Sequence, residues 1–158
     1  MRKLKALHGI RERVKCKFKA TADSNHPLPM ASNLLTRDFS PAMPNAVWTS
    51  DITYIATDEG WLYLAAIVDL FSRQVVGWSM KPHMRQDLVA DALRMAWFRR
   101  RPMPGLIFHS DRGSQYCSRD FQAALKAYQM TSSMSRKGDR WDNAPTESQW
   151  SRWKVGKD

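Results

Sequence analysis

From Val47 onward the chain switches between β-branched, strand-like runs and stretches of helical spacing, and the switches set an order of elements. VWTSDITYI (Val47 to Ile55) is β-branched and aromatic and predicts a strand that ends in the turn TDEG, from Thr57 to Gly60. Trp61 to Leu70 is nearly continuous in apolar residues, the pattern of a strand covered on both faces. FSRQ then turns the chain into a third strand, Val75 to Met80. Short connections make these three an antiparallel meander with the second strand in the middle. Asp87 to Arg99 carries Leu88, Ala92, Met95 and Ala96 at helical spacing, which predicts a helix crossing the sheet. LIFH, from Leu106 to His109, reads as a short buried strand. Ser118 is placed to cap a helix DFQAALKAYQM, and Thr131 to Met134 reads as a last short strand. Pro145 stands near the start of a final helix, where proline is tolerated.

Three strands, helix, strand, helix, strand, helix is the order of a ribonuclease H-like α/β domain. Its mixed sheet has three antiparallel strands, then short parallel ones, flanked by helices. Residues 1–46 lack such a period. Their first twenty hold eight Lys or Arg against one Glu, a charge of +7, and a Pro-, Ser- and Asn-rich stretch follows. The expected organisation is therefore a basic N-terminal arm and linker over 1–46 and a folded core over 47–158; a short amphipathic helix packed on the core is the alternative for the first dozen residues.

Composition narrows the partner. The 158 residues suit one domain, 43% hydrophobic content favours a packed core, and a net charge of +10 points to a polyanion such as nucleic acid, with a merely solvated basic surface as the alternative. Cys16 and Cys117 have no zinc-type spacing and read as free thiols in a reducing compartment. With no apolar signal segment and no run long enough to span a bilayer, the expected location is cytoplasmic, nucleoid-associated, without a membrane partner.

Three of the 15 acidic residues stand apart. Asp51 lies in mid-strand between apolar neighbours, where a carboxylate is costly unless metal coordination or a solvent-facing position compensates it. Asp111 follows LIFH and precedes RGSQ, at the strand end where α/β folds carry functional groups, with a turn-forming Asp as the alternative. Glu147, with 35 residues between it and Asp111 (147 − 111 − 1), falls in the first turn of the last helix, where by itself an acid complementing the helix dipole is the simpler reading. Together the three are hard oxygen ligands suited to Mg²⁺ or Mn²⁺, with positions left for phosphate and water. Lys154 shares a helix face with Glu147 and would meet a phosphate there. Arg136 and Lys137 beside Gly138, and Arg112 beside Asp111, are the other candidate DNA contacts, a solvated charge run being the alternative. Asp69 and His109 are read as structural, Asp69 ending a strand and orienting Arg73.

WTSDITYI, EGWLYLAAIVDLFSRQVVGWSM, DALRMA, HSDRGSQYCS and SMSRKGDRWDNAPTES occur in this order from about Thr21 to Ser148. Together they resemble the retroviral-integrase-type core of bacterial insertion-sequence transposases, specifically the second-reading-frame, OrfB-like product of insertion sequence family three. The resemblance implies that Asp51, Asp111 and Glu147 form a DDE triad holding two Mg²⁺ (or Mn²⁺) ions, and that Lys154 matches a DNA-contacting basic position. It implies strand cleavage at transposon ends, then transfer of the 3′ end to target DNA by a homo-oligomer, with the first-reading-frame DNA-binding subunit as a possible partner. Two departures accompany it: only a basic arm precedes the core, and the pattern after Glu147 reads Gln149-Trp150 and Trp153-Lys154 before VGKD. They lead to the expectation of a shortened copy, for which the alternative is a catalytically impaired fragment that binds DNA or regulates full-length transposase.

Overall fold

A computed structural model describes residues 26–35 and 40–136. Its frame is one five-stranded sheet in the spatial order β3-β2-β1-β4-β5, in which β1 is Val47–Thr57, β2 Gly60–Asp69, β3 Val75–Lys81, β4 Ile107–Ser110 and β5 Thr131–Met134. The first three strands pair antiparallel, and β4 and β5 add parallel to β1. The expected mixed sheet is thus present, with the meander on one side and the short parallel strands on the other.

Strand alternation decides which face meets the helices. Trp48 and Ile52 of β1, Ala65 and Ile67 of β2 and Phe108 of β4 are buried in one cluster. The cluster's other wall is Leu88, Val89, Ala92, Leu93 and Ala96 of α1, Gln86–Arg100. Small residues set how closely that helix lies on the sheet. A Cβ at Gly77 would fall on the Ala92 carbonyl oxygen and within 2.7 Å of the Ala96 nitrogen and Cβ. The α1 helix closes at Arg101, which adopts the left-handed conformation (φ 44°) and donates its N–H to the Trp97 carbonyl.

Two further helices follow β4. The short α2, Ser114–Cys117, has no counterpart in the sequence reading, because four residues are too few to display a period. The α3 helix spans Arg119–Ala127, and Ser118 caps it as expected, its hydroxyl accepting the Phe121 N–H at 3.3 Å. It stops short of Met130 because Gln129 turns left-handed (φ 56°) and the Met130 N–H reaches back to the Leu125 carbonyl at 2.9 Å.

The opposite face carries a smaller cluster of Leu35, Val47 and Leu70, with Ala46 and Ile107 against it. Residues 26–35 lie along the β5 side: the Leu34 N–H donates to Ser133 Oγ at 3.0 Å, and the Met134 N–H to the Ser32 carbonyl at 3.4 Å. Asp69 is fully buried and organises the β2–β3 turn, accepting the Asn45 N–H, the Ser72 N–H and the Ser72 hydroxyl. Its backbone carbonyl, at 2.8 Å from the Arg73 N–H, fixes the backbone of Arg73. His109 is buried with Nδ1 at 3.0 Å from Ser133 Oγ, a contact that ties β4 to β5.

Candidate functional site

Parallel pairing of β1 with β4 sets the geometry of the site. Val47 lies beside Ile107, Trp48 beside Phe108 and Thr49 beside His109. Asp51 stands two residues further along β1, and Asp111 is the first residue past the end of β4, so both lie toward the same end of the paired strands. Alternation along β1 puts Asp51 on the face opposite Trp48. Asp51 pairs on its other side with Ala66 of β2, whose own neighbour on β3 is Trp78.

Both carboxylates act on one buried hydroxyl. The Tyr116 hydroxyl of α2 is pushed well above the ordinary tyrosine value, first by burial and then by the negative charges of Asp111 and Asp51. Tyr116 therefore stays protonated, and its oxygen lies 2.9 Å from Ser50 Oγ, a buried pair that joins β1 to α2 beneath the carboxylates. Asp111 itself is raised above the usual carboxylate value by burial, an effect opposed by the hydrogen bond its Oδ1 accepts from the Gly113 N–H at 2.9 Å. The loop is wrapped tightly around that carboxylate. A Cβ on Gly113 would come within 3.0 Å of Asp111 Oδ1 and 2.9 Å of Gln115 Oε1. Gln115 in turn donates to the Met84 carbonyl at 3.0 Å and anchors α2 to the segment that leads into α1.

Of the residues singled out from the sequence, Asp51 and Asp111 both act on the Tyr116 hydroxyl, and Arg112 follows Asp111 in the same loop. Arg112 Nε donates to the Ser135 carbonyl at 2.7 Å, and the Arg112 carbonyl accepts from His26 Nε2 at 2.9 Å. Arg136 follows Ser135 and is exposed. Glu147, Lys137 and Lys154 lie outside the described residues. Ser50, Gly113 and Tyr116 went unnoticed as individual residues; Gly113 and Tyr116 belong to HSDRGSQYCS and Ser50 to WTSDITYI, but neither string reveals a buried hydroxyl pair or a close loop.

Two neighbouring carboxylates, one of them desolvated, are the donor chemistry that a hard divalent cation takes, because the ion offsets the cost of holding Asp111 charged. Among the described residues, no group of three His, Cys, Asp or Glu gathers to hold a metal ion.

The integrase core domain family matches residues 41–140, a span that includes β1 through β5 and both aspartates. The chain belongs to this family. It is similar to insertion-sequence proteins. It is 50% identical over 147 residues to "Transposase InsF for insertion sequence IS3A" of Escherichia coli, which covers 93% of this chain and 51% of that protein. It is likewise 50% identical over 141 residues to the "Insertion element IS600 uncharacterized 31 kDa protein" of Shigella sonnei, covering 89% of this chain and 52% of that protein. The resemblance read from the motifs therefore holds, and the chain spans about half the length of the curated relatives it matches.

The fold is ribonuclease H-like, as expected. The simian T-cell lymphotropic virus intasome, solved with the PP2A regulatory subunit B56 gamma, superposes with a TM-score of 0.65 at 19% identity, covering 91% of this chain and 46% of that one. The HTLV-2 integrase catalytic core domain, solved in complex with magnesium, gives a TM-score of 0.53 at 25% identity over 58% of this chain and 61% of that one. Among the described residues, no helix is long and apolar enough to cross a membrane.

Proposed function

We propose that this integrase core is the catalytic domain of a transposase that cuts DNA at transposon ends and transfers the freed strand to target DNA. The observation that supports this most is that Asp51 in β1 and Asp111, just past the end of the parallel strand β4, both act on the buried Tyr116 hydroxyl. Asp51, Asp111 and Glu147 hold Mg²⁺ or Mn²⁺, two ions by analogy with the family. When bound, such ions supply Lewis-acid activation of the attacking oxygen and neutralise charge on the phosphate.

The chain's own residues set the geometry. The Gly113 N–H fixes Asp111 Oδ1, and the Ser50–Tyr116 pair holds β1 and α2 together beneath the two acids. Tyr116, kept protonated by burial and by its anionic neighbours, adds no further negative charge where phosphate must approach. Arg112, Arg136, Lys137 and Lys154 contact the DNA backbone around the site. In the first reaction, water attacks phosphorus and the P–O3′ bond breaks, leaving a 3′-hydroxyl. In the second, that hydroxyl attacks a target phosphodiester and displaces the target's own 3′-oxygen.

The partners are transposon-end and target DNA, a second copy of this chain and the product of the element's first reading frame. The place of action is the cytoplasm, on the nucleoid. Residues 1–46 serve as a basic arm and linker, and 47–158 as the core.

The test is nicking and joining of a labelled transposon-end duplex by the 158-residue chain with Mg²⁺ or Mn²⁺. The parent is expected to release a 3′-hydroxyl strand, and Asp51→Asn and Asp111→Asn to be silent. Metal-dependent cleavage retained by both variants would remove the carboxylates from the reaction. A parent that binds DNA but never nicks it would favour the role of a DNA-binding regulator.

A further inference from the structure

The end of the sheet away from the carboxylates has an unbalanced charge. Arg99 and Arg100 close α1, Arg101 caps it, and Arg73 sits in the β2–β3 turn at the same end. All four are exposed. Arg100 Nη2 joins the two groups by donating to Gln74 Oε1 at 2.6 Å. No Asp or Glu occurs in residues 70–86 or 92–110, and among the described residues none of the four arginines is in an ion pair.

Helix-dipole complementarity accounts for a basic last turn but not for how these side chains are held. Arg73 and Arg101 both occupy left-handed backbone positions (φ 58° and 44°), where glycine would be cheaper. The Arg101 guanidinium lies 4.2 Å from the centroid of Trp97 and 4.6 Å from that of Phe98. Trp97 is itself stacked on Tyr128 of the segment after α3, with centroids 4.6 Å apart and planes at 15°. A cation laid on a rigid aromatic stack keeps its edge donors directed outward and loses little side-chain entropy on binding.

We propose that this arginine end is a second DNA-binding surface, which grips the phosphate backbone of a duplex away from the catalytic carboxylates. The charge decides the class of partner. An arginine cluster with no acid in the adjoining stretches 70–86 and 92–110 suits a polyanion, because protein–DNA interfaces are much more positive than protein–protein ones. Phe98 of α1 and Phe71 beside Arg73 are also exposed at this end, Phe98 with the Arg101 guanidinium 4.6 Å from its ring centroid. Such a surface holds a duplex segment that the active site does not cut.

The experiment measures binding of a duplex of unrelated sequence to the 158-residue chain by fluorescence anisotropy, without divalent metal, across a salt series. Parent is compared with the triple variant Arg73→Ala, Arg99→Ala, Arg100→Ala and with the matching triple Lys variant. The Ala variant is expected to bind about tenfold or more weakly at ~0.1 M salt, with a log–log salt slope shallower by about two to three. The Lys variant is expected to restore most of both, and unchanged tryptophan near-UV circular dichroism shows that all three chains fold alike. An unchanged slope in the Ala variant overturns the proposal. So does loss of poly-glutamate binding with duplex binding intact, which would make this an acidic-protein surface. The readout needs no cleavage, so it stands or falls separately from the carboxylate site.

Discussion

Asp111 is a charge held where charge is expensive. Burial raises its carboxyl above the usual value near 3.8, so in the metal-free chain its ionisation works against the fold. The sign follows from linkage: the stability tied to the neutral acid is complete below the unfolded-state value and is lost as pH rises through the raised folded-state value. Asp111→Asn, which retains an acceptor for the Gly113 N–H, should therefore stabilise the metal-free chain at neutral pH by roughly 0.5–2 kcal/mol and flatten the pH dependence above about 3.8. Urea midpoints in EDTA at several pH values measure this, and an Asn variant no more stable than parent would mean that Asp111 carries no such cost. A saturating divalent ion should reverse the order, raising the parent's melting temperature but not the variant's. At this scale the sequence was partly legible. Asp51 and Asp111 were identifiable as residues, but each had a bland alternative, and it took their order along the chain together with the resemblance to join them. The Ser50–Tyr116 pair was not legible at all, because no sequence period reports a hydroxyl contact across 66 positions.

Between residues and the whole domain, the elements transmit small steric facts to the site. Gly113 is needed because the loop from β4 to α2 wraps closely round Asp111, not because its backbone is left-handed. Gly113→Ala should displace the carboxylate and lower metal affinity or nicking by about 10–100-fold with little loss of stability, as for other residues that orient a ligand. Isothermal titration with Mn²⁺ checks the first, and parent-like affinity would dismiss the argument. Gly77→Ala differs in kind: its Cβ meets helix backbone, which cannot swing aside, so α1 must lift from β3. The expected cost is about 1–3 kcal/mol, read from chemical denaturation, and a neutral result would mean that the contact yields easily. Element order was the most legible level, since the strand and helix periods of β1 to β3 and α1 are long enough to count. The short α2 and the early end of α3 were not, because one depends on four residues and the other on a left-handed Gln129, a residue type with no turn signal.

Across the whole molecule the charge is divided rather than uniform. Of the net +10, the first twenty residues carry +7, leaving 17 basic against 14 acidic residues in the remainder. That remainder is close to balance in total but not in place: four of its arginines (Arg73, Arg99, Arg100 and Arg101) gather at one end of the sheet, away from Asp51 and Asp111. A uniform cloud would steer any polyanion, whereas separate basic surfaces contribute separable counterion release when each touches phosphate. Removing residues 1–19 should therefore weaken duplex binding and flatten its salt dependence independently of the arginine substitutions at Arg73, Arg99 and Arg100. Distant, independent contacts add, so the combined variant should show the sum of the two changes in slope. Anisotropy titrations of the four chains over one salt series supply the double-mutant cycle. A combined slope no shallower than that of the arm deletion alone would mean that arm and arginine end share the same phosphates, and that the chain has one basic surface where two are inferred.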